Sequence, residues 1–309
     1  MKGSSDGSAP VSPKLLHGFL VIDKPEGWTS HDVVARLRRL TGLRRVGHAG
    51  TLDPMATGVL PVALGQATKL LEYLSEADKV YRATVRLGLT TDTDDATGTP
   101  LVERPWQHLT EEAVRRALAE FVGTLEQVPP VYSAIKRGGV PLYRLARRGQ
   151  PVTAPPRTVT IYRIDLCSVA LPDVTIEVTC SKGTYIRSLA RDLGERLGSG
   201  GHLRALRRLR TGPFGLHAAH TLDEVAQAAE TGALPALVLP PDAVLLTAPA
   251  LVLGPHAERR LVTGQALDIP ATHPTGTVGR AYGADGALLG VVRVVEGGWH
   301  PHKLLGGPE

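Results

Sequence analysis

Two cysteines in 309 residues, Cys167 and Cys180, exclude a secreted disulfide framework and a zinc or redox centre of CxxC spacing. A reducing cytoplasm is the expected compartment. Cys180 ends an alternating apolar run and reads as a small buried hydrophobe rather than a nucleophile. No stretch approaches the roughly 18 consecutive apolar residues of a membrane-spanning helix, so no membrane association is expected. Met1 to Pro13, rich in Ser, Gly and Pro, lacks the apolar segment of a secretion signal and reads as a disordered tail. Also missing are a GxxxxGK[ST] phosphate loop, a GxGxxG turn after a strand, an HExxH pair and any metal-spaced cluster among the 11 histidines. Asp92, Asp94 and Asp95 imitate the opening of a calcium loop, but Gly98 falls one residue late and no glutamate follows at the closing ligand position. No internal repeat recurs at a period of about 20 to 50 residues. Any chemistry must therefore run on side chains alone, with neither metal nor cofactor.

The length suits about two domains of roughly 150 residues, and a 42% hydrophobic content gives each a core to bury. A formal charge of +5 suits an anionic partner such as nucleic acid without requiring one. Gly18 to Ile22 reads as a strand closed by the turn residues Asp23 to Gly27. Thr29 with Asp32 forms a capping-box pattern, after which Val33, Val34, Leu37 and Leu40 recur at helical spacing until Gly42. Gly47 to Gly58 (GHAGTLDPMATG) has neither helical nor strand period and reads as a structured loop. Tyr81 to Leu87, Val159 to Leu166 and Val174 to Cys180 read as strands, and Thr110 to Phe121 and the segment after Gly183 as helices. In the latter helix Ile186, Leu189, Ala190 and Leu193 form the buried stripe, with Arg187 and Arg191 on another face. His202 to Arg210 is a basic segment with leucines at 203, 206 and 209. After an Ala, Leu and Pro-rich connection near 235 to 249, short strands separated by glycines predict a small β-rich domain.

Asp53 is the candidate reactive group, because Asp-Pro in a loop bracketed by Gly50 and Gly58 can present a short carboxylate at a fixed angle. GHAGTLDPMATG is followed in order by KVYR (Lys79–Arg82), YSAIK (Tyr132–Lys136), SKGTYIR (Ser181–Arg187) and LRRLR (Leu206–Arg210), and preceded by DKPEGWTS (Asp23–Ser30). This series resembles the TruB family of tRNA pseudouridine synthases from about Phe19 to Phe214, and more loosely to the C-terminus. The family's GHTGALDP is GHAGTLDP here, and Thr90 stands where an arginine often precedes the TDT turn.

The resemblance implies an α+β fold: a mixed or antiparallel-sheet pseudouridine synthase core with flanking helices, and a small β-rich, PUA-like C-terminal domain. Expected boundaries are a tail over 1–16, a catalytic domain over 17–245 with a tRNA-gripping insertion at about 105–150, and an RNA-binding domain over 250–309. Tyr143, Arg144, Arg147 and Arg148 belong to that insertion and favour a stand-alone enzyme. The implied activity is conversion of uridine to pseudouridine at position 55 in the T loop of tRNA, by base flipping and attack of the Asp53 carboxylate. Tyr81 would stack on the target base and Arg187 would keep the carboxylate ionised, with Asp95 holding the other side of that arginine. His48 would enter the T loop in place of the flipped base. Lys24 and Tyr185 would line the site, Leu206 or Leu209 would floor it, and Arg204, Arg207 and Arg208 would contact the RNA backbone. The chain is expected to act as a monomer on the tRNA T-stem loop without guide RNA. A guide-RNA-dependent pseudouridylase and an RNA-folding chaperone without chemistry are the competing readings.

Overall fold

The computed structural model describes residues 16–132, 136–137, 140–141 and 154–305. The expected tail before residue 16 lies outside them, as do Ser133 to Ile135 of YSAIK and the insertion residues Tyr143, Arg144, Arg147 and Arg148.

Local chemistry fixes the elements that carry the site. Thr29 caps the helix Ser30–Thr41: its side chain accepts from the Asp32 amide while the Asp32 carboxylate accepts from the Thr29 amide, and Gly42 ends the helix at φ 69°. Val33, Val34 and Leu37 form its buried stripe. The strand Asp173–Cys180 alternates strictly, burying Val174, Ile176, Val178 and Cys180.

Among the described residues these elements build a nine-stranded sheet. Its spatial order is Gly18–Lys24, Thr57–Leu64, Gly201–Thr211, Lys79–Leu87, Asp173–Cys180, Arg157–Ala170 and Gly123–Gln127. Val46–His48 pairs with Thr57–Leu64, and Phe214–Gly215 with Gly201–Thr211. The pairing is antiparallel except where Arg207 and Arg208 run parallel to Thr57 and Gly58. One face carries Tyr81, Ala83, Val85, Leu203 and Leu206 and packs against Ser30–Thr41 and the helix Ile186–Arg196.

The basic segment proves to be the strand Gly201–Thr211, and its threefold leucine spacing has a strand explanation. Its register against Lys79–Leu87 slips between Leu203 and Ala205 and again between Arg208 and Arg210. Each irregularity inserts an extra residue and resets the inward face, so Leu203, Leu206, Arg208 and Thr211 all turn inward.

Ala250–Val252, Val278–Tyr282, Leu288–Val295, Gly298–Leu304 and Leu267–Pro270 form a separate five-stranded sheet. It has its own core of Leu253, Leu261, Leu267, Ala281, Val292, Val294 and Trp299. Val291 and Leu305, by contrast, join Phe19, Val21, Leu70 and Leu74 of the larger unit. The Lys69 ammonium donates to the Leu304 carbonyl at 2.6 Å across the same seam.

Candidate active site

The loop between Val46–His48 and Thr57–Leu64 is anchored at several points. The Ser30 hydroxyl accepts from the Leu52 amide at 3.0 Å. The Pro54 carbonyl accepts from the Gly27 amide at 2.8 Å and from the Lys24 ammonium at 3.2 Å. The Asp53 carbonyl accepts from the Ala56 amide at 3.0 Å, closing a tight turn around Pro54. Gly58 has φ +98°, and a Cβ there would stand 2.2 Å from the Arg208 carbonyl oxygen. Gly58→Ala is therefore expected to destabilise the protein by at least about 2 kcal/mol, adding left-handed backbone strain to overpacking. Thermal unfolding checks this, and an unchanged melting temperature would remove the close approach as a constraint.

Asp53 Oδ2 accepts from Arg187 Nε at 2.9 Å. Arg187 is 5% exposed, although it lies off the apolar stripe, and polar partners surround its guanidinium. Nη1 donates to the Thr93 carbonyl at 3.1 Å and stands 3.6 Å from Asp95 Oδ2. Nη2 donates to the Tyr132 carbonyl at 2.8 Å. Asp95 Oδ1 accepts from the Thr93 hydroxyl, the Thr97 amide and the Thr97 hydroxyl at 2.8, 2.9 and 2.6 Å. Burial pushes the Asp53 carboxyl above its ordinary range, Arg187 and Lys24 oppose that rise, and Asp95 adds to it.

A cavity of about 400 Å³ opens over this pair, lined among others by Asp53, Tyr81, Tyr185, Arg187, Leu206 and Arg208. Its size suits a small ligand or a single extruded base. Burial raises the Tyr81 phenol above its usual range, an effect Arg208 opposes. Tyr185 stands at the N-cap of Ile186–Arg196. Its amide donates to Gln127 Oε1 at 2.7 Å, while Gln127 Nε2 donates to its carbonyl at 3.0 Å. Gln127 carried no sequence signal, because its task is to hold another residue's backbone.

The other expected residues stand in varied surroundings. Leu206 lines the cavity and Leu209 does not. Lys24, expected at the cavity wall, is fully buried beneath the loop. Its ammonium donates to the carbonyls of Pro25, Trp28 and Pro54, and burial lowers its pKa to about 8. His48 is half-buried beside His31, with ring centroids 5.6 Å apart, and burial lowers its pKa to about 4, which keeps it neutral near pH 7. Arg204 pairs with Asp173, and Arg207 with Asp23 at 2.7 Å, both from partly exposed positions. Arg208, also expected at the RNA backbone, is 1% exposed and donates to the Val59 and Gly50 carbonyls at 2.7 and 2.9 Å. Cys180 is buried and its thiol is pushed up to about 11, the behaviour of an inert core residue.

No group of metal-ligating side chains converges among the described residues. Asp94 pairs with Arg191, Asp92 accepts from the Thr99 amide and Asp95 from its neighbouring threonines, so the acidic turn points to separate partners. No described helix is long and apolar enough to cross a membrane.

A mixed nine-stranded sheet thus carries a cavity lined by a carboxylate–arginine pair and a tyrosine. The chain is similar in structure to one in a crystal structure of a Cbf5-Nop10-Gar1 complex, with a TM-score of 0.75 at 26% identity, covering 98% of this chain and 91% of that one. It is also similar to one in an archaeal box H/ACA sRNP Nop10-Cbf5 complex, with a TM-score of 0.72 at 25% identity, covering 96% and 89%. The architecture is that of a pseudouridine synthase, an isomerase.

The sequence narrows this further. Residues 38–186 match the N-terminal domain of the TruB family of pseudouridylate synthases, and residues 187–246 the C-terminal domain of tRNA pseudouridylate synthase B. Proteins called tRNA pseudouridine synthase B are 49% identical in Burkholderia pseudomallei (96% of this chain, 99% of that protein) and 47% in Ralstonia nicotianae (94% of each). The chain belongs to the TruB family.

Proposed function

We propose that this protein isomerises the uridine at position 55 in the T loop of tRNA to pseudouridine, with Asp53 as the attacking carboxylate. The supporting observation is the 2.9 Å contact between Asp53 and a buried arginine at the wall of a base-sized cavity. The C1′–N1 bond breaks, the uracil turns, and C1′ joins C5; the proton lost from C5 is matched by one gained at N1, so no oxidant or cofactor enters. Attack at C1′, attack at C6 and a glycal route all begin from an ionised carboxylate beside the base. Tyr81 and Leu206 would hold the extruded uracil between them, stacking contributing about 1 to 3 kcal/mol. Asp95 would steady Arg187, and Tyr185 would complete the wall.

The tRNA assignment rests on the names and near-full-length similarity of the relatives. That similarity also favours a stand-alone monomer over a guided particle, and a cytoplasmic enzyme over a chaperone alone. The five-stranded sheet over 250–305 would act as the PUA-like RNA-binding domain, and His48 would fill the stack vacated by the base. The deciding assay incubates an unmodified tRNA transcript with the pure protein in chelator, without guide RNA, and maps pseudouridine. Modification confined to position 55 is expected; a requirement for guide RNA would overturn the reading.

Arg204 and Arg207 are exposed enough to exchange their carboxylates for phosphates. Replacing both with alanine should weaken tRNA binding and flatten its salt dependence by about one unit of slope for each phosphate no longer engaged. An unchanged slope would leave them as intramolecular ion pairs only.

A further inference from the structure

Arg208 has a buried guanidinium, and among the described residues no carboxylate pairs with it. A charge withdrawn from water needs compensation from fixed partners. Here they are the Val59 carbonyl on Nε and the Gly50 carbonyl on Nη2, and its cross-strand partner Tyr81 lines the same cavity. The backbone makes this convergence unavoidable. Arg208 is the register partner of Tyr81 on one side and of Gly58 on the other. Gly50 and Gly58 bracket the loop that carries Asp53, and a Cβ on Gly50 would stand 3.1 Å from Arg208 Nη1. One side chain thus grips both ends of the Asp53 loop and stands beside the tyrosine that lines the same cavity.

We propose that Arg208 is a positioning residue of the isomerisation, which acts through Tyr81 by fixing the phenol's place and polarity relative to the Asp53 loop. The proposal rests on the reading of Asp53 and Tyr81 given above. Arg208 is 1% exposed and forms part of the cavity wall, so its role runs through the groups it holds. A guanidinium is suited to this work: it stays charged when buried, and its planar fork serves several acceptors at once. Its charge favours electron density on the Tyr81 oxygen, which burial alone opposes. The neighbouring charge makes the phenol a stronger donor toward the base, while the same fork, held on the Val59 and Gly50 carbonyls, prevents the loop from drifting. Displacement of reacting groups by about 1 Å lowers rates on the order of 10²-fold.

The test is a double-mutant cycle of Arg208→Lys and Tyr81→Phe, read as single-turnover rate at saturating tRNA across pH. Arg208→Lys alone should slow the chemical step by on the order of 10²-fold with little change in tRNA affinity. Arg208→Met should be slower still and should move the rate profile toward higher pH, a displacement that lysine partly reverses. In the Tyr81→Phe background Arg208→Lys should cost no more than about twofold, because its route to the reaction is already gone. Removing a buried guanidinium risks the fold, so the cycle is repeated with Gly50→Ala, which crowds the guanidinium without removing it. Its rate penalty should likewise shrink when combined with Tyr81→Phe. Penalties that multiply in both cycles, or Arg208 variants that lose affinity rather than rate, would overturn the proposal. If Tyr81→Phe slows the reaction yet the penalties multiply, only the coupling fails. Full activity in Asp53→Asn would remove the underlying site assignment as well.

Discussion

Asp53→Asn is expected to abolish turnover, with a loss on the order of 10⁴-fold or more in the single-turnover rate, while tRNA affinity changes little. Asparagine keeps the shape and one hydrogen-bonding oxygen of the side chain, so the Arg187 Nε contact at 2.9 Å can be retained without the negative charge. What disappears is the nucleophile, a deficit felt in the transition state and not in the grip on RNA. The fold should survive, because backbone contacts to Ala56, Gly27 and Lys24 hold the turn. Rate and affinity are measured separately, by pseudouridine formation under enzyme excess and by filter binding. Residual activity near that of the parent would move the chemistry to another side chain.

Arg187→Met should produce the second-largest effect, and one that depends on pH. Burial and Asp95 both raise the Asp53 carboxyl, and Arg187 is the principal group opposing them. Without that charge the carboxyl rises further, so a smaller fraction is ionised at neutral pH, and that fraction grows as the pH increases. The expected rate is down on the order of 10² to 10³-fold near pH 7, with partial recovery on the alkaline side. Arg187→Lys should fall between the two, since it restores charge without the fork that serves Thr93, Tyr132 and Asp53 together. Equal, pH-independent losses in both variants would mean that Arg187 acts through geometry alone.

Some of this was legible from residue order and some was not. The capping box at Thr29, the alternation from Val174 to Cys180 and the apolar stripe from Ile186 to Leu193 are local patterns, and local patterns survive into the fold. Asp53 and Arg187 stand far apart in the chain, and only the resemblance joined them before the sheet did. Arg208 was read as one of a cluster of arginines, whereas the slip between Leu203 and Ala205 puts it on the inner face with Leu203 and Leu206. Lys24 was placed at the site by the resemblance alone, and three converging carbonyls, invisible in residue order, account for its burial. Gln127, which braces the Tyr185 backbone, had no pattern to betray it.

The strand Gly201–Thr211 enters the sheet between Thr57–Leu64 and Lys79–Leu87, two segments that leave the ribosome far earlier. At about 5 to 20 residues per second, the emerging chain holds those two strands without their shared neighbour for on the order of ten seconds. During that interval the Asp53 loop lacks Arg208, the cavity lacks Leu206, and two strand edges stand unpaired, a condition that invites association with other chains. A polypeptide that ends before residue 201 therefore lacks the strand that brings Leu206 and Arg208 to the cavity, and the site is complete only when the middle of the sheet is filled.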